Sequence, residues 1–316
     1  VQPTYEDRES FFALTFPTRN LRYLVREVAL RVAGKNDKAV RQLELTYGGG
    51  KTHALITLCH LMADPDTLPD LPSVHEFEQE IGEAPPRARV VGLCFDKLDV
   101  EKPLPFPGPD GQVRALKQPW SLLAYQIAGD AGLELLHADG KAEERDTAPA
   151  EGLLVELLRL PGQDGLGTLV LIDEVLMYAR EEIGDDPVQR SRLLNFLQAL
   201  TQAATKVDRC CVVASLLSSE PLNLDAKGRQ IQAQLGNIFQ RQREETIEPV
   251  VKEDVAEVLR RRFFKPESIR DRERFRQHVI AALKGVASVD EQTAKQGQTA
   301  EDRFLSSYPF HPDLTE

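Results

Sequence analysis

The sequence predicts an α/β protein: a parallel sheet with helices on both faces, followed by a small helical subdomain. Three observations carry this. Short apolar runs (VRQLELT, ARVVGLCF, TLVLID, RCCVVASLL) alternate with stretches of helical periodicity, as strand–helix–strand units do. TLVLID is apolar up to its terminal acid, as a strand covered on both faces must be. After about residue 251 the apolar spacing is helical only. These patterns divide the chain into a helical lead-in at 1–35, a core at 36–250 and a helical subdomain at 251–316.

The elements follow in order. LRYLVREVALRV (21–32) carries an apolar stripe at helical spacing. Residues 40–46 read as a strand, three glycines follow, and THALITLCHLMA reads as an apolar helix. Residues 64–88 are acidic and Pro-rich, predicting a loop with at most one short helix. ARVVGLCF (88–95) reads as a buried strand, and KPLPFPGPDG marks 96–118 as a long surface excursion. PWSLLAYQIAG (119–129) opens a helix with Pro, residues 137–149 read as polar and mobile, and EGLLVELLRL (151–160) is helical. TLVLID (168–173) is the central strand, SRLLNFLQALTQAAT (191–205) a helix and RCCVVASLL (209–217) the next buried strand. A weak helix within 221–238 precedes a short strand, ETIEPV (245–250). Amphipathic helices at 252–264 and 271–286 and a polar loop at 287–302 complete the chain.

Composition narrows the function classes. With 39 Lys+Arg against 50 Asp+Glu in 316 residues, the net charge is −11. That excludes a protein that coats nucleic acid by bulk charge and leaves room for a local basic groove. A hydrophobic share of 41% with 28% charged residues is ordinary globular composition. No continuous apolar run approaches the ~18 residues of a membrane span. The start, VQPTYEDRESFF, has no basic-then-apolar leader pattern. Without an initiator Met and ending at YPFHPDLTE, the chain reads as a fragment or processed form. Cysteines 59, 94, 210 and 211 form no CxxC pair and stand in apolar runs, which suits buried, reduced thiols in a cytoplasmic protein. No zinc set is visible: His53 and His60 share a helix, seven apart, with no third ligand nearby.

Gly48-Gly49-Gly50-Lys51-Thr52 lies between a strand and a helix, the context a phosphate-binding loop requires. Glycines let backbone N–H groups turn inward around phosphate oxygens, and the helix start adds partial positive charge. Lys51 can reach the β- and γ-phosphates, and the Thr52 hydroxyl can ligate Mg²⁺. The full GxxxxGK[ST] pattern fails at its first position, Leu45. Leu169 to Glu174 is an apolar strand ending in Asp-Glu, so Asp173 is the candidate Mg²⁺ ligand and Glu174 the general base on water. Both motifs in this order predict a P-loop ATPase using ATP and Mg²⁺.

Further candidates are weaker. The strand beside the Asp-Glu strand ends near Ser218, a candidate sensor of the γ-phosphate or lytic water, with Ser215 and Ser219 as alternatives and a turn serine as the plain one. Arg241 and Arg243 stand where an oligomeric ATPase presents an arginine finger to its neighbour, Arg243 being favoured over Arg241. A solvated arginine pair is the competing reading. Arg260, Arg261, Arg262, Lys265, Arg270, Arg272, Arg274 and Arg276 make the helical tail basic. The plainer reading there is a solvated face paired with Glu253, Glu257 and Glu273, and no interleaved aromatics mark a nucleic-acid surface.

The chain resembles a family of prokaryotic P-loop ATPases, similar to the AAA+ class and long catalogued as a domain of unknown function. Its members are encoded in BREX-like or phage-growth-limitation-like anti-phage operons beside DNA methyltransferases and helicases. The likeness runs through Phe11-Phe12 with Thr15 and Thr18, TYGGGKTH (46–53), PWSLLAYQIAG (119–129), LIDEVLMYAR (171–180) and SYPFHPDL (307–314). It implies ATP binding at Tyr47, Gly48, Gly49, Gly50, Lys51, Thr52 and His53, and Mg²⁺-dependent hydrolysis at Asp173 and Glu174. It also implies a role for Arg180 near the phosphates, a truncated lid-like subdomain at 251–316, homo-oligomers, and other defence proteins or DNA as partners. The expected function is an ATPase motor or switch in phage defence or DNA processing. The alternative is a nucleotide-binding scaffold with little hydrolysis. A small-molecule kinase fits poorly, since Glu174 beside Asp173 suits activation of water.

Overall fold

The computed structural model describes residues 3–43, 50–184, 186–215, 226–240, 246–265, 272–287 and 298–315. In chain order the elements are α1 (Pro3–Glu6), α2 (Arg8–Leu14), α3 (Arg19–Val32), β1 (Val40–Leu43), α4 (Lys51–Ala63), α5 (Pro72–Ile81) and β2 (Ala88–Cys94). There follow β3 (Leu104–Pro107), β4 (Val113–Leu116), α6 (Pro119–Leu136), α7 (Glu151–Arg159), β5 (Gly167–Asp173), α8 (Val175–Glu181), α9 (Pro187–Thr205) and β6 (Cys210–Ser215). The last are α10 (Ala226–Gln240), β7 (Thr246–Ile247), α11 (Val255–Phe263), α12 (Arg276–Ala287) and α13 (Gln298–Ser307).

The chain divides into two compact units: Arg19–Asp70 with Val74–Pro249, and Val1–Thr18 with Leu71–Ser73 and Val250–Glu316. The larger holds a five-stranded parallel sheet in the order β2-β5-β6-β1-β7, flanked by helices. All seven residues of β5 and all six of β6 are buried, so these strands are apolar on both faces. Val170, Ile172, Val212 and Ala214 join one core cluster with residues of α6, α7, α9 and α10. The alternate residues of β5 and β6 face the other way, where α3 and α4 pack on the same strands.

The short helix expected within 64–88 is present as α5, ten residues long, whose Val74, Phe77 and Ile81 are buried at helical spacing. Several other expectations need correction. β2 is an edge strand rather than a buried one: Gly92 and Cys94 are exposed. The Gln126 side chain closes part of that edge by pairing with both Gly92 N (3.0 Å) and Gly92 O (3.1 Å). The 96–118 excursion contains the antiparallel β3–β4 hairpin. Residues 137–149, expected to be mobile, are tied to α6: Glu144 accepts from Lys117 N and Gln118 N, and Arg145 O accepts from the buried Trp120 indole. The loop predicted at 287–302 gives way to α13 from Gln298; residues 288–297 lie outside the described set.

Helix α6 kinks at Ala128–Gly129, where Gly129 takes φ 60°. The kink brings Ala124 O so close to Gly132 that a Cβ there would sit 2.2 Å away.

In the smaller unit, α1, α2, α11, α12 and α13 pack without strands among the described residues. Arg260 is buried there, pairs with Glu257 and donates to the carbonyls of Tyr308 and Ser306. It is a structural tie rather than part of a solvated face.

Two buried arginines lock the larger unit. Arg31 of α3 donates to four carbonyls, of Cys210, Asn36, Ala204 and Val207, and so joins α3 to the end of α9 and the start of β6. Arg41 of β1 pairs with Glu27 of α3 at 2.9 Å. Arg31→Met would leave buried acceptors unsatisfied and should lower the unfolding free energy by about 3 kcal/mol or more in urea titrations. Lys35→Ala, which breaks an exposed pair with Glu83, should cost less than about 1 kcal/mol in the same assay.

Candidate functional site at the carboxyl edge of the sheet

Parallel strands deliver their carboxyl ends to one edge, where ligands of open α/β sheets bind. Here the registers decide what meets there. Leu43, the last residue of β1, pairs with Ser215, the last of β6, while Ile172 of β5 pairs with Ala214. Asp173 therefore ends level with Ser215. On its other side Cys94 of β2 is its register partner.

Helix α4 begins at the same edge. Its N-cap is Gly50 at φ 133°, a conformation closed to residues with a Cβ. Lys51 is 6% exposed at the first helical position, within reach of the charges of Asp173 and Glu174. Thr52 donates its hydroxyl to Asp173 Oδ2 at 2.8 Å, and Glu174 N donates to Asp173 Oδ1 at 3.1 Å. His53 lies on the first turn, its carbonyl accepting from Thr57 Oγ1.

Asp173 is 6% exposed. Burial raises its pKa against the opposing pull of Thr52, Ser215, Lys51 and the Glu174 N–H. Ser215 Oγ, 1% exposed, faces Asp173 closely enough to favour its charge without reaching full hydrogen-bond geometry. Glu174 is half-buried, and burial and then Asp173 raise its pKa, with Asp96 adding to the effect. Among the described residues it is the one non-glycine at positive φ (59°, ψ 30°), a strained conformation of the kind that persists where surrounding structure enforces it.

The structure thus brings together Gly50, Lys51, Thr52, Asp173, Glu174 and Ser215. Tyr47, Gly48, Gly49, Ser218, Ser219, Arg241 and Arg243 lie outside the described residues. Arg180, at the end of α8, is partly exposed and lies 3.9 Å from Glu181. Asp96 is a neighbour that the motifs do not reveal. It directly follows β2 and Phe95, so its signal is the same strand-then-acid pattern that marks Asp173. The cysteines are less uniform than expected: Cys210 and Cys211 are buried, Cys59 is intermediate and Cys94 is exposed. The Cys94 sulfur is nevertheless crowded, and desolvation, then Asp173, pushes its thiol up to about 11.

Among the described residues the edge offers the Lys51 cation, the carboxylates of Asp173 and Glu174 with Asp96 nearby, and the hydroxyls of Thr52 and Ser215. Among the described residues no group of three His, Cys, Asp or Glu side chains could hold a metal by itself. A single carboxylate with a hydroxyl suits Mg²⁺, which takes its remaining ligands from phosphates and water. No helix among the described residues is long and apolar enough to cross a membrane.

The pKa directions set a pH dependence. Native Asp173 holds its proton to higher pH than the unfolded chain does. Stability is therefore lost as pH rises from the ordinary carboxylate range through the native value. Asp173→Asn should raise the melting temperature at pH 8, and the gap should close as pH falls through the ordinary carboxylate range.

A family model described as DUF499 N-terminal domain matches residues 2–258. No curated protein and no solved structure matches the chain.

Proposed function

This chain belongs to the DUF499 N-terminal domain family, and we propose that it is an AAA+-like P-loop ATPase that binds ATP with Mg²⁺ and hydrolyses it. The observation that carries the reading is the Thr52–Asp173 hydrogen bond. It joins the start of the helix after the glycine run to the acid ending an apolar strand, the two halves of a phosphate-and-metal site. The strand order supports it. β6 stands between β1 and β5, as an additional strand would between the glycine-loop strand and the acidic strand.

Lys51 supplies buried positive charge where the β- and γ-phosphates would lie, and the α4 amino end adds its dipole. Thr52 and Asp173 would hold Mg²⁺, which when bound neutralises phosphate charge. Glu174 takes the proton from the attacking water, and its raised pKa brings it nearer the working pH of a general base. Its strained backbone fixes the carboxylate beside Asp173. Ser215, one of the candidate sensors, is a described hydroxyl facing Asp173 and would orient water or phosphate; Ser218 lies outside the described residues.

We read the protein as a cytoplasmic motor or switch module of phage defence or DNA processing. Its partners would be further copies contributing Arg243 or Arg241 as an arginine finger, other defence proteins such as a DNA methyltransferase or helicase, and DNA. Leu45 at the first glycine position favours a second reading, a nucleotide-binding scaffold with little turnover.

Calorimetric titration with ATP and phosphate-release assays test this. Lys51→Ala should weaken ATP binding by about 100-fold or more, while Glu174→Gln should keep binding and slow turnover by about 10²–10⁴-fold. No binding at millimolar ATP would contradict the proposal. Tight binding with wild-type turnover no faster than Glu174→Gln would move it to the scaffold reading.

A further inference from the structure

The smaller unit carries a surface that the nucleotide site does not use. Helix α11 ends in Arg261, Arg262 and Phe263, followed by Phe264 and Lys265. Phe263 is 70% exposed and Phe264 38%. Both meet the ring of Phe310 edge-on, with centroids 6.3 and 6.1 Å apart. The sequence separates these rings widely. Arg260 brings them together by donating from α11 to the Tyr308 and Ser306 carbonyls, which sets the 306–310 segment beside the helix end. The three rings are therefore held in place by a buried side chain and are not loose on the surface.

The cations lie on the same stretch. Arg262 and Lys265 are exposed and Arg261 half-exposed. Arg262 reaches the Tyr5 hydroxyl at 3.5 Å, and neither Arg261 nor Arg262 has a carboxylate partner among the described residues. An apolar partner would have to desolvate these charges. A polyanion that also presents π faces satisfies both features.

We propose that Phe263, Phe264 and Phe310, with Arg261, Arg262 and Lys265, form a binding platform for single-stranded nucleic acid. Bases stack on the exposed rings and phosphates meet the cations. A duplex hides its base faces in the stack and is the poorer ligand. The overall charge of −11 opposes binding elsewhere on the chain, so the interaction is confined to this patch and is sensitive to salt. The inference stands apart from the nucleotide site and is tested without ATP.

The experiment is fluorescence anisotropy of a labelled oligothymidine about 15 nucleotides long, titrated with the 316-residue chain at low and moderate salt. Binding should weaken as salt rises. Phe263→Ala, at an exposed position, should keep the wild-type melting temperature and lose about 5- to 100-fold in affinity, while Phe263→Trp restores it. Arg262→Gln should weaken binding and flatten the salt slope by about 0.7 for each phosphate that the variant leaves unneutralised. No binding at low salt would overturn the proposal, as would equal affinity for blunt duplex or affinity unchanged in Phe263→Ala. Self-association in sedimentation that Phe263→Ala abolishes would also overturn it and assign the patch to an interface between copies.

Discussion

A carboxylate at the end of a wholly buried strand must find partners or lose its charge. Asp173 stands in that position, and the hydroxyl of Thr52 meets it at 2.8 Å. That hydrogen bond spans from β5 to the first turn of α4, and the geometry of the candidate site depends on it. It places Lys51 against two acids, holds the Gly50 turn at the sheet edge and leaves Glu174 in a strained conformation beside it. Burial keeps both acids above their ordinary pKa values while Lys51 opposes the rise, a balance that an added cation or phosphate would shift.

The scaffold holding this edge uses buried cations in addition to apolar packing. Arg31 satisfies four buried carbonyls, and Arg41 on β1 is matched by Glu27 on α3. These ties hold α3, α9, β1 and β6 in one arrangement at the opposite end of the strands from the acids. The register of β1 with β6 and of β6 with β5 then passes that order along the sheet to Leu43, Ser215 and Asp173. A one-residue slip would turn Ser215 away from Asp173.

Much of this is legible in the residues. Continuous apolar runs announce β5 and β6, and their alternation with helical stripes announces a parallel sheet. Lys51 and Thr52 stand out because they follow a glycine run and open an apolar helix, Asp173 and Glu174 because they close a continuous apolar run, and these are residue types that phosphate and metal chemistry needs. What escapes is what depends on distance in space. The short helix expected within 64–88 is there, but the buried face of α5 is obscured because acidic residues separate Val74, Phe77 and Ile81. Asp96 is inconspicuous because only the pairing of β2 with β5 puts it beside Glu174. Arg260 looks solvated in sequence because its carbonyl partners lie more than forty residues further along the chain. In the basic tail Phe263 and Phe264 stand directly between Arg262 and Lys265 in the sequence, a signal that the expectation of a plain solvated face passes over, while Phe310 joins them through tertiary structure alone.

The central claim is that Thr52 and Asp173 form the metal-holding half of a nucleotide site. The most direct measurement is ATP affinity by equilibrium dialysis in Mg²⁺ and in chelator, for wild type and Asp173→Asn. The account predicts that Mg²⁺ tightens binding to the wild type and that this difference disappears in Asp173→Asn while metal-independent binding persists. An equal Mg²⁺ effect in both proteins, or none in the wild type, would contradict it.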